Sequence, residues 1–281
     1  MKLKIFIILT FLMTFLNTDI TLSETVSFDT PITMKVNDKY IKADSEPYLY
    51  KGLTYVPVRF ASEALGADNV TWNEDTRTCS IYDSNTELSL TIGKNTALVN
   101  GKKVKTSGSV MLVNSRTYVP VRFVAETLGA FVDWDKSTYT VNITKEGTDV
   151  PSHLIGSLPY TDDDIYWLSR IVNSESGGEP MKGKIAVANT VLNRVHSDNF
   201  PDTIYGVIFD KKYGVQYQPT MNGTIYQTPL GDSIIAAKRA LSGENVVAQS
   251  MYFLNPDRAT NFWIPQNRVF YTTIGNHDFY L

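Results

Sequence analysis

The chain has 281 residues, of which 43% are apolar and 20% charged, with a formal net charge of -3. At roughly 100–200 residues per domain this allows one large domain or two modest ones. The composition sets aside wholesale disorder, collagen and a polytopic membrane protein. The slight acidity offers no basic footprint for nucleic acid. One cysteine, Cys79, and three histidines, His153, His196 and His277, leave no internal disulfide, no CxxC redox pair and no cysteine-based zinc site. Neither a metal nor a cofactor is expected.

Residues 1–23 read as a secretory signal peptide. Lys2 and Lys4 form a basic start, and the apolar run IFIILTFLMTFL at 5–16 is followed by small polar residues, with Thr21 and Ser23 suited to a cleavage site. The run is short for a membrane span of about 20 residues, so no stable span is expected after cleavage. An uncleaved anchor is the alternative, and both place the working part outside the cell.

An internal repeat organises residues 24–144. LTYVPVRFASEALGA at 53–67 returns as RTYVPVRFVAETLGA at 116–130, identical at 11 of 15 positions, and Val36-Asn37 and Trp72 recur as Val99-Asn100 and Trp134. The copies cover about 31–83 and 94–144. In each, Pro57 or Pro120 is placed in the first turn of a short helix. Val58, Ala61 and Leu65, and likewise Val121, Val124, Ala125 and Leu128, make an apolar face, and Gly66 or Gly129 ends the helix. The alternation in 88–92 and 138–143 predicts half-buried strands, so each copy is expected to be a helix packed on an antiparallel sheet. Cys79 aligns with Val141 and reads as a buried apolar side chain, and Arg59 and Arg122 as ion-pair or capping residues. The VPVRF…LGA…W pattern resembles the copper amine oxidase N-terminal, or stalk, domain of secreted proteins of Gram-positive bacteria. No histidine precedes His153, so the resemblance implies a wall-associated spacer rather than a copper site.

Residues 145–160, KEGTDVPSHLIGSLPY, read as a linker to a second unit at 161–281. Thr161 and Asp164 make a capping-box start for a helix carrying Ile165, Leu168, Ile171 and Val172 on one face, stopped by Gly177-Gly178. Pro180 opens a second helix burying Ile185, Ala188, Val191, Leu192 and Val195, with Arg194 near its end. A third helix is expected at about 231–242, then strands within 249–255, 268–275 and 277–281.

The chemically interesting stretch is NSESGGEP at 173–180. Glu175 falls in the last turn of its helix, at the negative end of the dipole, which disfavours a carboxylate. Desolvation by nearby aromatics acts in the same direction, and a raised carboxyl pKa suits a general acid working near neutral pH. Glu179 begins the next helix, where the dipole favours its ionised form and a structural cap. For a single glutamate at a helix end, a solvated surface charge is the simpler local reading.

Further blocks alter that balance. SRIVNSESGGEPMKGKIAVANTVLNRV at 169–195, FPDTIYGVIF at 200–209, GVQYQPTMNGTIY at 214–226, YFLNPDRATNFW at 252–263 and IGNHDFY at 274–280 together resemble the SleB/CwlJ-like cell wall hydrolases, the family of spore cortex-lytic enzymes. The family reads GEARGEP more often than SESGGEP, and the differences leave both glutamates in place. The resemblance implies cleavage of peptidoglycan between muramic acid and N-acetylglucosamine by one catalytic glutamate, corresponding to Glu175. A lytic transglycosylase needs no second carboxylate because the substrate's own 6-hydroxyl replaces water. A hydrolytic version needs one, with Glu179, Asp210 and Asp257 as candidates.

Gln216, Tyr217, Asn222, Tyr252 and Asn255, with Glu179, are candidates to bind the sugar polymer through amides and flat apolar faces. Each is also open to reading as a turn residue or core aromatic, Asn222-Gly223 especially. His277 reads as a hydrogen-bonded structural residue, and His196 as a favourable helix end. The fold class expected is α+β: a stalk of two helix-on-sheet repeats, then a mainly helical lysozyme/transglycosylase-like catalytic domain with a small sheet. The function expected is that of a secreted peptidoglycan hydrolase, associated with the wall or the spore of a Gram-positive bacterium. The alternatives are a non-catalytic peptidoglycan-binding wall protein, or an N-acetylmuramoyl amidase, which would need clustered zinc ligands.

Overall fold

The computed structural model describes residues 28–84, 86–212 and 214–281, a mixed α+β architecture with several sheets. The signal-peptide reading of residues 1–23 lies outside these residues.

The N-terminal half begins with β1 (Thr33–Val36), β2 (Lys39–Tyr40), β3 (Tyr48–Tyr50), β4 (Leu53–Pro57) and α1 (Val58–Ala64). It continues with β5 (Asn69–Asn73), β6 (Thr78–Asp83), β7 (Thr86–Thr91), β8 (Thr96–Val99) and β9 (Lys102–Lys105). It ends with β10 (Met111–Val113), β11 (Arg116–Pro120), α2 (Val121–Thr127), β12 (Phe131–Asp135) and β13 (Thr140–Thr144). Pro57 and Pro120 sit one step earlier than expected. Each closes a strand and is the N-cap of its helix. Gly66 and Gly129, at φ of 76° and 79°, follow the C-caps Leu65 and Leu128 and turn the chain out of the helix.

Strand pairing departs from the expected pair of self-contained helix-on-sheet units, because the two sequence copies exchange strands. The central sheet runs β10-β11-β4-β3, with Val56 opposite Val119. The hairpin β12-β13 continues into β1-β2 through the parallel pair β13–β1, while β5-β6 continues through β7 into β8-β9. The reason is burial. The last three residues of β4 and of β11 are buried, and one copy is too small to cover its own apolar strand, so each covers the other's. Cys79 is 3% exposed and pairs across the sheet with Trp72 and Leu90. Burial pushes its thiol up to about 11, which leaves it unreactive. Arg122 donates to Glu126 and to the carbonyl of Val132, a structural role.

Residues 145–160 are a packed strap rather than a free linker. Val150 and Leu154 are buried in the core of the N-terminal half, and Ile155 bridges Ile41. Asn37 donates to the carbonyls of Lys145 and Thr148, and Lys145 lies 2.6 Å from Asp83. The Gly, Pro and Ser content concealed these two apolar anchors.

In the C-terminal half, α3 (Asp162–Ser176) opens with the expected capping box, worth about 1 kcal/mol. It packs with α4 (Met181–Val195) and α7 (Gly231–Leu241) around Leu168, Ile171, Val172, Ile185, Ala188, Val191 and Ala237. Leu192 and Val195 are half-buried rather than buried. Three short helices were not anticipated: α5 (Ile204–Phe209), α6 (Pro219–Asn222) and α8 (Trp263–Asn267). The strands β14 (Tyr252–Leu254), β15 (Phe270–Ile274) and β16 (His277–Tyr280) form one sheet in the order β14-β16-β15, with Phe279 fully buried against the helices.

The halves meet at Lys238 of α7, which has no solvent exposure. Its ammonium donates to Thr33 Oγ1 at 2.9 Å and to the carbonyls of Thr138 and Tyr139 at 2.8 and 3.1 Å. Burial brings its pKa down to about 7. Lys35 pairs with Asp162 at 2.8 Å on the same seam.

Candidate active site

A cleft of about 1610 Å³ opens where the α3–α4 turn faces the β14-β16-β15 sheet. Residues 173–179 line one side, and the turn after β14, α8 and the β15–β16 turn line the other. Glu175 stands in the last turn of α3, partly exposed to the cleft, and among the described residues its carboxylate has no hydrogen-bond partner. Burial raises its pKa to about 7. Desolvation alone accounts for this shift. The surroundings therefore hold a carboxyl that is protonated for much of its time at neutral pH and has no competing partner for its proton.

Glu179, four residues on, is differently placed. It is 8% exposed, and its two oxygens accept from the backbone N–H and the side-chain Nδ2 of Asn276, each at 2.9 Å. Burial works to raise its pKa, but these bonds, with His277 and Lys184 acting in the same direction, hold it below the usual carboxylate range. It precedes the N-cap Pro180 and clamps the α3–α4 turn to the β15–β16 turn. Gly275 makes the clamp possible: its φ is 61°, and a Cβ there would overlap the Glu179 carboxylate. Glu179 is thus occupied by the fold rather than offered to a ligand. His277 stacks edge-on against Phe253 at 5.5 Å. It departs from the expected hydrogen-bonded role, since its buried Nδ1 has no hydrogen-bond partner among the described residues. Burial lowers its pKa, keeping it neutral.

Tyr217 is 2% exposed, too deep to stack on a sugar. Its hydroxyl accepts from Arg194 Nη1 at 3.3 Å, and burial raises its pKa, with the charge of Glu175 acting in the same direction. Tyr252 and Gln216 line the cleft with partly exposed side chains. Asn255 also lines it, while its Oδ1 accepts from the N–H of Asp257.

Comparison with known proteins follows the same division of the chain. Residues 35–143 match the copper amine oxidase N-terminal domain and residues 178–280 the Cell Wall Hydrolase family. The spore cortex-lytic enzyme of Bacillus cereus is 37% identical over 134 residues, covering 48% of this chain and 48% of that protein. The spore cortex-lytic enzyme of Halalkalibacterium halodurans is 38% identical over 138 residues, covering 49% of this chain and 38% of its own length. The chain therefore spans about half or less of the length of these two relatives. The solved catalytic domain of SleB from Bacillus anthracis, a germination-specific lytic transglycosylase, is 36% identical over 47% of this chain and 100% of that one, with a TM-score of 0.40. The similarity to cell wall hydrolases is thus confined to the C-terminal half. Glu179 falls inside the family match, and Glu175 stands just before it.

Within the C-terminal half, the remaining sequence candidates lie outside the cleft. Asn222 is exposed and accepts from the N–H and hydroxyl of Thr224, with Gly223 at φ 79° behind it, so the turn reading holds. Asp210 accepts from the N–H of Lys212, Asp257 is exposed, and neither lines the cleft. His196 is the C-cap of α4, as expected. Sequence reasoning missed Arg258, Arg268, Trp263 and Asn276, all of which line the cleft. Two of them, Arg258 and Trp263, lie in the block YFLNPDRATNFW, whose residue types alone do not separate cleft from turn. Among the described residues no three His, Cys, Asp or Glu side chains cluster as a metal site, and no helix is long and apolar enough to cross a membrane.

Proposed function

We propose that this protein is an exported peptidoglycan glycosidase that works as a lytic transglycosylase, with Glu175 as its single catalytic acid and base. Residues 161–281 are its lysozyme/transglycosylase-like catalytic domain, and residues 24–144 a stalk that spaces that domain within the wall. The observation that carries the mechanism is the supply of carboxylates. Among the described residues only Glu175 and Glu179 are acidic cleft-lining side chains, and Glu179 is bound by Asn276. A hydrolase of the usual kind needs two working carboxyl groups. One is enough when the nucleophile comes from the substrate.

In the first step the protonated Glu175 gives its proton to the glycosidic oxygen as the bond to the muramic acid C1 breaks, releasing the N-acetylglucosamine 4-hydroxyl. The carboxylate left behind takes the proton of the muramyl 6-hydroxyl while that oxygen bonds to C1. The products are a 1,6-anhydromuramic end, a free 4-hydroxyl and a regenerated Glu175 acid, with no water consumed. A carboxyl pKa near 7 serves both directions of this proton transfer. The relatives named spore cortex-lytic enzyme support peptidoglycan as the substrate class.

The test is digestion of purified peptidoglycan by the intact chain and by Glu175→Gln. The substitution should keep the fold and reduce release of soluble fragments at least about 100-fold. The wild-type digest should carry anhydromuramic ends by mass. Retained activity in the variant would overturn the role of Glu175, and reducing muramic ends would replace transglycosylation by hydrolysis.

A further inference from the structure

The cleft is lined by cations as well as by Glu175. Arg194, Arg258 and Arg268 all border it, on a chain whose overall charge is -3. Among the described residues none of the three pairs with a carboxylate. Glu179, the fixed anion of the cleft, is engaged by Asn276 and lies 3.8 Å from the neutral His277.

These guanidinium groups are positioned, not merely exposed. Arg194 is 6% exposed; its Nε donates to the Met251 carbonyl at 2.7 Å and its Nη1 to the Tyr217 hydroxyl. A buried guanidinium whose hydrogen bonds go only to neutral acceptors has no anion beside it to offset its contribution to the local positive potential. Arg268 is exposed, but its guanidinium lies over Tyr252 at 4.5 Å and Trp263 at 5.1 Å. Stacking of this kind orients the fork and leaves its edge donors free. Tyr252 also lies 5.4 Å from the Arg194 guanidinium, so one aromatic ring is shared by two cations. Arg258 stands in the turn after β14, close enough for its charge to oppose protonation of His277.

We propose that this wall binds a carboxylate carried by the glycan strand beside the scissile bond, either the lactyl carboxylate of a muramic acid or one on its stem peptide. The assignment rests on the glycosidase reading for the identity of the glycan and deepens it. Planar guanidinium groups match carboxylates bidentately, and muramic acid is the sugar of this polymer that bears the acid or the peptide. A muramyl residue whose lactyl group is closed as a lactam or capped as an amide carries no such charge at that position.

The experiment compares three soluble glycan strands: peptide-free with free lactyl carboxylates, bearing stem peptides, and peptide-free with the carboxyls capped as methylamides. Binding is read by fluorescence anisotropy on the Glu175→Gln chain, and KM and kcat on the otherwise wild-type chain. Each of Arg258→Gln and Arg268→Gln should weaken binding and raise KM about 5–10-fold on a charged strand, leave kcat within about twofold, and leave the capped strand unaffected. The effect should shrink between low and high salt, and Arg268→Lys should restore part of the affinity.

A response with free lactyl strands alone identifies that group as the ligand, and a response with peptide-bearing strands alone identifies the stem. Equal binding of capped and charged strands, or an equal loss on both in the variants, overturns the proposal. Because binding is read on a chain without its catalytic carboxyl, charge-selective binding without cleavage by the wild type would overturn the glycosidase reading alone.

Discussion

In the N-terminal half, three pairs of charged side chains are matched within the fold: Lys145 lies 2.6 Å from Asp83, Arg116 2.9 Å from Asp44, and Arg122 3.3 Å from Glu126. Around the cleft of the C-terminal half, Glu175, Arg258 and Arg268 have no counter-charge among the described residues, although Glu179 nearby is fully engaged. The same residue types thus serve two ends. Where each charge has a partner, the fold consumes it; where charges of both signs line one concave surface unpaired, they are available to a ligand. Glu175 and Glu179 bring this contrast to one turn of chain, and the contrast can be broken experimentally at either residue.

The largest expected effect is on the engaged side. Glu179→Ala removes two hydrogen bonds to a buried carboxylate and leaves Asn276 without its partner, at a cost of about 2–4 kcal/mol. Gly275→Ala should cost as much, since its Cβ overlaps the Glu179 carboxylate and its φ is 61°. The two should not add. Once Glu179 has been truncated, Gly275→Ala retains only the backbone strain of about 1 kcal/mol. Urea unfolding of both single variants and the double variant measures the coupling, and simple additivity would show that the clamp does not join the two turns.

On the unengaged side, Glu175 is raised to about 7 from the 4.5 of a freely solvated glutamate. Below about pH 4.5 the folded and unfolded chains both hold this proton. Between about pH 4.5 and 7 the folded chain keeps it and the unfolded chain releases it, so the stability it contributes falls as pH rises and is gone above about 7. Glu175→Gln cannot titrate. The variant should therefore match the wild type near pH 4 and gain on it by up to roughly 3 kcal/mol near pH 8. Wild-type activity should decline over the same rise through pH 7, because the acid must be protonated to act. A stability difference that does not change with pH would remove desolvation as the property that distinguishes Glu175 from Glu179.

How much of this was legible depended on the range of the interaction. Helical spacing in 162–176 and 181–195, the capping box at Thr161 and Asp164, and the glycines after each VPVRF helix are local signals, and all appear in the structure. The position of Glu175 at a helix end is local too. Strand exchange in the N-terminal half was hidden because alternation says which face of a strand is buried and not which strand lies beside it. The strap at 145–160 carries no periodic signal, since two apolar anchors, Val150 and Leu154, are too few to make a period. Glu179 and Asn276 are 97 positions apart, and the three cleft arginines come from α4, the turn after β14 and the C-cap of α8. Only the folded sheet brings them together.

The smallest expected effect lies at Asn222, where the contrast between engaged and available groups makes a quiet prediction. Its Oδ1 accepts from Thr224 N at 3.0 Å and Thr224 Oγ1 at 2.8 Å, immediately before a glycine at φ 79°. Both acceptor directions serve the turn, and the side chain does not line the cleft. Asn222→Ala should cost about 0.5–1 kcal/mol of stability, the net worth of an exposed side-chain hydrogen bond of this kind. It should leave KM for peptidoglycan fragments unchanged. Asn222→Asp, which keeps the acceptor, should recover most of the stability. A rise in KM without loss of stability would place Asn222 on the substrate path, and an engaged group would then also be an available one, contrary to the rule that separates Glu179 from Glu175.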